Sequence, residues 1–154
     1  MRNLILICGL PGAGKSSYGQ KLIEEATSLG KTNAHFEADQ FMLDQDNKYS
    51  FNKAKLGFVH KMCQLSAEKA MIDGKETVVV SNTFTTRKER KPYLEMATNQ
   101  GYNVIIVNLF DAGLSDMELH ERNVHGVPVE TIKRMRERWE EPTRAEGFLV
   151  DIYG

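Results

Sequence analysis

The sequence predicts an α/β fold in three layers, a central parallel sheet with helices on both faces and a small helical lid. Three observations carry this expectation. Short apolar, largely β-branched runs at 3–8, 76–80 and 102–109 read as strands buried on both faces of a sheet. Segments with apolar residues at helical spacing alternate with those runs, and strand–helix alternation implies right-handed crossovers and a parallel sheet. A glycine-rich turn follows directly on the first run. With 154 residues and 41% apolar content, one domain over residues 1–154 with a single core is expected.

Composition removes several function classes. A net charge of −1 gives no global attraction to nucleic acid, so any surface for a polyanion must be local. Cys8 and Cys63 are far apart in sequence and are expected to be reduced thiols, not a metal pair. No apolar run approaches the ~20 residues of a membrane span, and no charged leader with a cleavage site precedes the first strand. The expectation is a cytoplasmic protein without a membrane partner. No feature specifies an oligomeric state.

The first strand runs into Gly9-Leu10-Pro11-Gly12-Ala13-Gly14-Lys15-Ser16, which fits G-x-x-x-x-G-K-[ST] at every fixed position, with Ser17 next in line. The segment after it, 16–29, places Tyr18, Leu22, Ile23 and Ala26 at near-helical spacing. Strand, glycine loop and helix together give the pattern a mechanism. Glycine permits φ > 0 and a close backbone approach, so that consecutive N–H groups point at phosphate oxygens, backed by the positive end of a helix. Lys15 is expected to reach the β- and γ-phosphates of ATP, and the Ser16 hydroxyl to ligate Mg²⁺.

Gly30 to Asn33 stops the first helix, and 34–38 is a candidate second strand. It ends at Asp39, followed by Gln40, Phe41, Met42 and Leu43. Functional groups of α/β sheets gather beyond the carboxyl ends of strands, so Asp39 is placed to face the nucleotide; capping of a helical turn is the plainer role for the same residue. Residues 44–50 are polar and turn-prone. A long helix is expected over 51–73, with Phe58, Val59, Met62, Cys63, Ser66, Ala70 and Met71 on its packed face and His60 and Lys61 in solvent.

The strand at 76–80 ends in Ser81-Asn82-Thr83, without the carboxylate that P-loop enzymes often use to help hold Mg²⁺. Metal binding is then expected to rest on Ser16, water and Asp39. Asn82 and Thr83 are candidate hydrogen-bonding partners of an acceptor or a water, or caps of the next helix. The next segment, 86–100, begins with Arg87, Lys88, Glu89, Arg90 and Lys91, read as a solvated face, and Pro92 is expected to mark its true helical start. A fourth strand follows at 102–109. A short helix over 114–123 breaks at Arg122 to Pro128, and a basic helix resumes over 129–139 with Lys133, Arg134, Arg136 and Arg138. This helix–hinge–helix, 115–139, has the character of a lid that excludes water and stabilises developing charge. Arg122 is the first candidate for a phosphate-contacting arginine, while Arg134, Arg136 and Arg138 read as ordinary helix charge. His120 and His125 are poorly spaced for a metal. Residues 147–153 form a candidate fifth strand at the sheet edge.

In the order P-loop, strand-end Asp39, Ser81-Asn82-Thr83 and Glu121-Arg122-Asn123, the chain resembles the kinase domain of phage polynucleotide 5′-hydroxyl kinase and related P-loop kinases of AAA and zeta-toxin type. The likeness runs over most of 1–141. It implies a P-loop kinase fold, with Lys15 and Ser16 handling ATP and Mg²⁺, Asp39 taking the proton from an acceptor hydroxyl, and Arg122 belonging to the lid. The implied reaction is transfer of the γ-phosphate of ATP to a hydroxyl, first of all the 5′-hydroxyl end of a nucleic acid. The chain departs from the pattern in four places. Met42 stands where the phage kinase has an arginine three residues after the Asp, Asn82 replaces the strand-end Asp, the lid is shorter, and His125 falls near a second arginine. The tail after Trp139 is too short for the phosphatase domain of the phage enzyme. A nucleoside, nucleotide or small-metabolite kinase and an ATP-binding regulatory module are the alternatives.

Overall fold

A computed structural model describes residues 1–42 and 45–152. Leu43, Asp44 at the start of the expected loop 44–50, and Tyr153 and Gly154 lie outside the described residues.

Five strands form one parallel sheet in the order β2-β3-β1-β4-β5. They are β1 (Asn3–Gly9), β2 (Asn33–Phe36), β3 (Thr77–Asn82), β4 (Asn103–Phe110) and β5 (Phe148–Asp151). β1 lies at the centre, with Leu6 level with Val80 of β3 and Ile106 of β4. Five helices connect and cover the strands: α1 (Lys15–Ser28), α2 (Leu56–Ile72), α3 (Arg87–Gln100), α4 (Asp116–Arg122) and α5 (Val129–Glu137). The apolar strand runs are explained by burial on both faces. Leu4, Leu6, Cys8, Val78 and Val80 pack against Cys63, Ala67 and Met71 of α2 and Tyr93 and Ala97 of α3. On the opposite face Ile5, Ile7, Val79 and Val107 meet Tyr18, Leu22 and Ile23 of α1 together with Leu119 of α4 and Ile132 of α5. The cysteines are free and buried, and burial pushes the Cys8 thiol up to about 12. Among the described residues no helix is long and apolar enough to cross a membrane.

Three local expectations are corrected. The packed face of α2 is Val59, Cys63, Ala67, Ala70 and Met71, spaced by three or four residues as one helical stripe requires; Phe58, one residue off that stripe, is 60% exposed. Pro92 does not begin α3. Thr86 does, its hydroxyl accepting from Glu89 N–H, and Pro92 sits inside the helix at the cost of one backbone bond. Arg90 is not a solvated residue of the charge run. It is fully buried, donating from Nε to Glu146 at 2.7 Å and from Nη1 to the Phe84 carbonyl at 2.7 Å. Burial alone would raise the Glu146 carboxyl, but the Arg90 guanidinium and the Thr143 N–H hold it below its ordinary value. This pair ties the chain before β5 to the turn that follows β3.

Candidate active site

The crevice at the carboxyl ends of the strands is built around the turn after β1. Register slips by one residue at Cys8/Gly9, so that Gly9 pairs with Phe110. Leu10 N–H then donates to the carbonyl of Phe110, a residue at φ 44. The loop is thus pinned to β4 before it turns into α1. Gly12 and Gly14 have φ of 85 and 97, in the left-handed region where glycine carries no steric cost. A Cβ on Gly12 would collide with the Leu119 carbonyl of α4, whereas one on Gly14, the N-cap of α1, would meet nothing within 4 Å. The first N–H groups of α1 have no intrahelical partner and face the crevice mouth.

Lys15 opens α1 and folds back along the loop, its Nζ donating to the Leu10 carbonyl at 3.1 Å. Burial lowers its pKa to about 8, against the pull of Asp39 and Glu37, which draw it upward. Ser16 Oγ donates to Glu37 Oε1 at 2.5 Å. Ser16, Ser17, His35, Glu37 and Gln40 line one wall of an open cleft of about 520 Å³. A hydroxyl and a carboxylate side by side are hard oxygen donors of the kind Mg²⁺ takes, so this chemistry fits the ion that the P-loop pattern implies. Among the described residues no three His, Cys, Asp or Glu side chains converge as a metal site of their own.

β2 ends at Phe36, two residues earlier than the sequence suggests, and Asp39 lies in a 3-10 turn, Ala38–Phe41. Its side chain is 54% exposed, and its Oδ2 stands 3.4 Å from His125 Nε2. The His125 ring in turn stacks on Tyr49, centroids 4.1 Å apart. Asn82, expected to meet the acceptor, is turned inward. Its Oδ1 accepts from Ala38 N–H at 2.9 Å and its amide donates toward Cys63 Sγ. Satisfying a buried backbone N–H outweighs pointing into the crevice. Thr83 is half-buried beside the loop, and its carbonyl accepts from Gly9 N–H. Met42 is 2% exposed, packed with Ala38 and Val59, so position 42 faces the core rather than an acceptor.

The helices of the expected lid are docked, not free-standing. Leu119 and Ile132 are fully buried against Leu10 and Ala13 of the loop. Arg136 fastens the pair by donating to Asp111 at 2.6 Å, Asp116 at 2.8 Å and the Leu114 carbonyl at 3.0 Å. Arg134 donates to Thr131 and Arg138 to Thr85. Between the helices, Asn123 Oδ1 accepts from the N–H groups of His125 and Val127, each at 3.0 Å, and this Asn-organised turn presents His125 to Asp39. Arg122, in the last turn of α4, is exposed. Among the described residues its side chain has no ion-pair partner.

Loop, Asp39 turn and α4–α5 link are therefore brought together as expected; Asn82 and Met42 are not in the crevice. Glu37 is the residue to which sequence reasoning gave no role, and His125, set aside there as a metal ligand and placed near the second arginine of the resembled kinase, stands beside Asp39. For Glu37 the available signal was the Glu-x-Asp spacing at a strand end.

The AAA domain family matches residues 4–142. Human NEDD4-binding protein 2 is 30% identical over 140 residues, a match that takes in 89% of this chain and 8% of that protein; the chain thus spans under a tenth of the length of this relative. Among solved structures, a chain of the Pnkp1/Rnl/Hen1 RNA repair complex superposes with a TM-score of 0.68 at 17% identity, covering 89% of this chain and 43% of that one. A gluconokinase from Sinorhizobium meliloti 1021 superposes with a TM-score of 0.60 at 21% identity, covering 100% and 86%. At such identities these likenesses carry the fold alone, a parallel α/β sheet with a P-loop after its first strand. With its loop, strand order and a match over nearly its whole length, the chain belongs to the AAA domain family.

Proposed function

We propose that the chain is an ATP-dependent phosphotransferase that moves the γ-phosphate of ATP to a hydroxyl acceptor, with the 5′-hydroxyl of a polynucleotide as the first acceptor class. The observation that carries this reading is Asp39, a half-exposed carboxylate in the 3-10 turn just after β2, near enough to draw the Lys15 pKa upward and 3.4 Å from His125 of the α4–α5 link.

In this reading the loop of residues 9–17 binds the phosphates through the backbone N–H groups of Gly12, Gly14, Lys15, Ser16 and Ser17 and through the Lys15 ammonium, those of Gly9, Leu10 and Ala13 being held by Thr83, Phe110 and Leu10, and Asp39 orients the acceptor hydroxyl in line with the γ-phosphorus. As the new oxygen–phosphorus bond forms and the bond to the ADP leaving oxygen breaks, Asp39 accepts the hydroxyl proton. Arg122, exposed in the last turn of α4, stabilises the transferring group from the lid, 115–139. Ser16 supplies its hydroxyl to Mg²⁺, which when bound with the nucleotide neutralises charge on the β- and γ-phosphates. Thr83 lies at the rim, and Asn82 acts by holding the Asp39 turn. Positioning and electrostatics account for most of such a reaction.

A second reading, a nucleoside, nucleotide or small-metabolite kinase, is favoured by one observation: Met42 is buried and supplies no cation for an acceptor phosphate. Labelled γ-phosphate transfer from ATP to 5′-hydroxyl DNA and RNA oligonucleotides, nucleosides and 3′-nucleotides separates the two. Label on oligonucleotides that is lost in Lys15→Ala is the expected result. Label confined to mononucleosides or 3′-nucleotides moves the acceptor to small molecules. ATP binding with no labelled acceptor, and no stimulation of ATP hydrolysis by any of them, contradicts transfer and leaves a regulatory module.

A further inference from the structure

β3, the strand beside β1, ends in Ser81 and Asn82. Ser81 is buried with its Oγ 2.7 Å from His35 Nε2, and Asn82 is turned to the Ala38 N–H and Cys63. Neither offers a negative charge to a cation over the phosphates, where P-loop NTPases commonly use a strand-end Asp. One strand further out the charge is present. Phe36 of β2 is level with Val80 of β3, which puts Glu37 level with Ser81, and Glu37 Oε1 lies 2.5 Å from Ser16 Oγ.

We propose that Glu37, together with the Ser16 hydroxyl, is the divalent-cation anchor of this chain, the carboxylate having moved from the end of β3 to the end of β2. The inference rests on the phosphotransferase reading and adds to it a residue with a separate task. Three features fix the carboxylate there. Ala38 N–H is held by Asn82, and Glu37 N–H donates to Gln40 Oε1 at 3.3 Å, so the backbone on both sides of the side chain is tied down. The His35 ring fills the layer between β2, β3 and α1, and Gly19 of α1 makes room for it, since a Cβ there would come within 2.5 Å of His35 Cε1. With that space taken by imidazole, a longer acidic side chain at position 81 would have to displace the ring. Lastly, Asp39, two residues on, is engaged by His125 on the acceptor side. The Glu-x-Asp pair thereby divides its work: the first carboxylate faces Ser16, the second the acceptor.

A structural role for Glu37, bracing the turn before Asp39, makes a different forecast, and binding distinguishes the two. The probes are a fluorescent ADP analogue, titrated with and without Mg²⁺, and Mn²⁺ bound to the ADP-loaded protein, read by electron paramagnetic resonance. Glu37→Gln, close to isosteric, is expected to weaken Mn²⁺ in the ternary complex by roughly 10- to 100-fold. It should also remove most of the Mg²⁺ enhancement of ADP binding while leaving metal-free ADP affinity and the melting temperature unchanged. Unchanged Mn²⁺ affinity in Glu37→Gln would overturn the inference and leave the phosphotransferase reading intact. An equal loss of ADP affinity with and without metal would overturn it in favour of a turn brace. No ADP binding by the wild-type chain would overturn both readings at once.

Discussion

At the end of β1 the crevice is made of backbone: two left-handed glycines, the exposed N–H groups of α1, and a single side chain, Lys15, lying along the loop. At the end of β2 it is made of side chains from three separate segments, Asp39 from the 3-10 turn, His125 from the α4–α5 link and Tyr49 from the stretch before α2, with Asn82 of β3 holding the turn from behind. In the proposed reading the donor end is local in sequence, whereas the acceptor end exists only after the sheet has formed. A backbone cradle recognises what all nucleoside triphosphates share, whereas an assembled side-chain cluster can change its acceptor by changing single residues.

The sharpest way to break this division is at Lys15. Lys15→Met removes the charge that faces the phosphates and should lower nucleotide affinity and transfer by about 10²–10³-fold. The free fold should respond in the opposite direction. Burial holds the Lys15 pKa near 8 against an ordinary 10.5, so between those values the unfolded chain binds more protons than the folded one. Lys15 therefore costs stability below pH 8, and that cost is lost as pH rises toward 10.5. Lys15→Met should gain about 1–3 kcal/mol at pH 7 in urea denaturation and less at pH 10. A loss of stability at pH 7 would show that the ammonium is well solvated in the empty loop.

Asn82→Ala sharpens the comparison at the other end. It leaves the buried Ala38 N–H without its acceptor, a cost of about 1–3 kcal/mol, and it should depress transfer while ADP affinity stays at the wild-type value. If ADP affinity falls as far as transfer does, the two ends are not separable at β3. The smallest effect is expected at His125. Its contact with Asp39 is half-exposed, and such pairs are worth about 1 kcal/mol or less, so His125→Ala should raise the acceptor KM by a few-fold and leave kcat and nucleotide affinity alone. A change in nucleotide affinity instead would assign the α4–α5 link to the donor end.

The contrast also explains what could be read from the residues alone. The sheet was legible because strands buried on both faces show as unbroken apolar runs, and the loop because its glycines and Lys15-Ser16 are contiguous. Asp39 was singled out by its place after a strand. Glu37 escaped because its contact is with Ser16, 21 residues earlier, an approach that only the folded sheet creates. Arg90 escaped for the same reason: its partner Glu146 is 56 residues away, and nothing in a run of charges marks the one that is buried. Asn82 was recognised as important but aimed the wrong way, since an unpaired N–H on a neighbouring turn leaves no trace in sequence. Phe58 and Val59 differ by one residue and about 100° around α2, an angle that apolar composition does not resolve.

The central claim, that a donor end and an acceptor end meet at Asp39, is tested most directly by measuring ADP affinity and single-turnover γ-phosphate transfer side by side on Asp39→Asn. The account expects ADP affinity within about three-fold of wild type and transfer reduced by about 10²–10⁴-fold, the range of a lost general base. Transfer at the wild-type rate in that variant would contradict it and remove Asp39 from the chemistry.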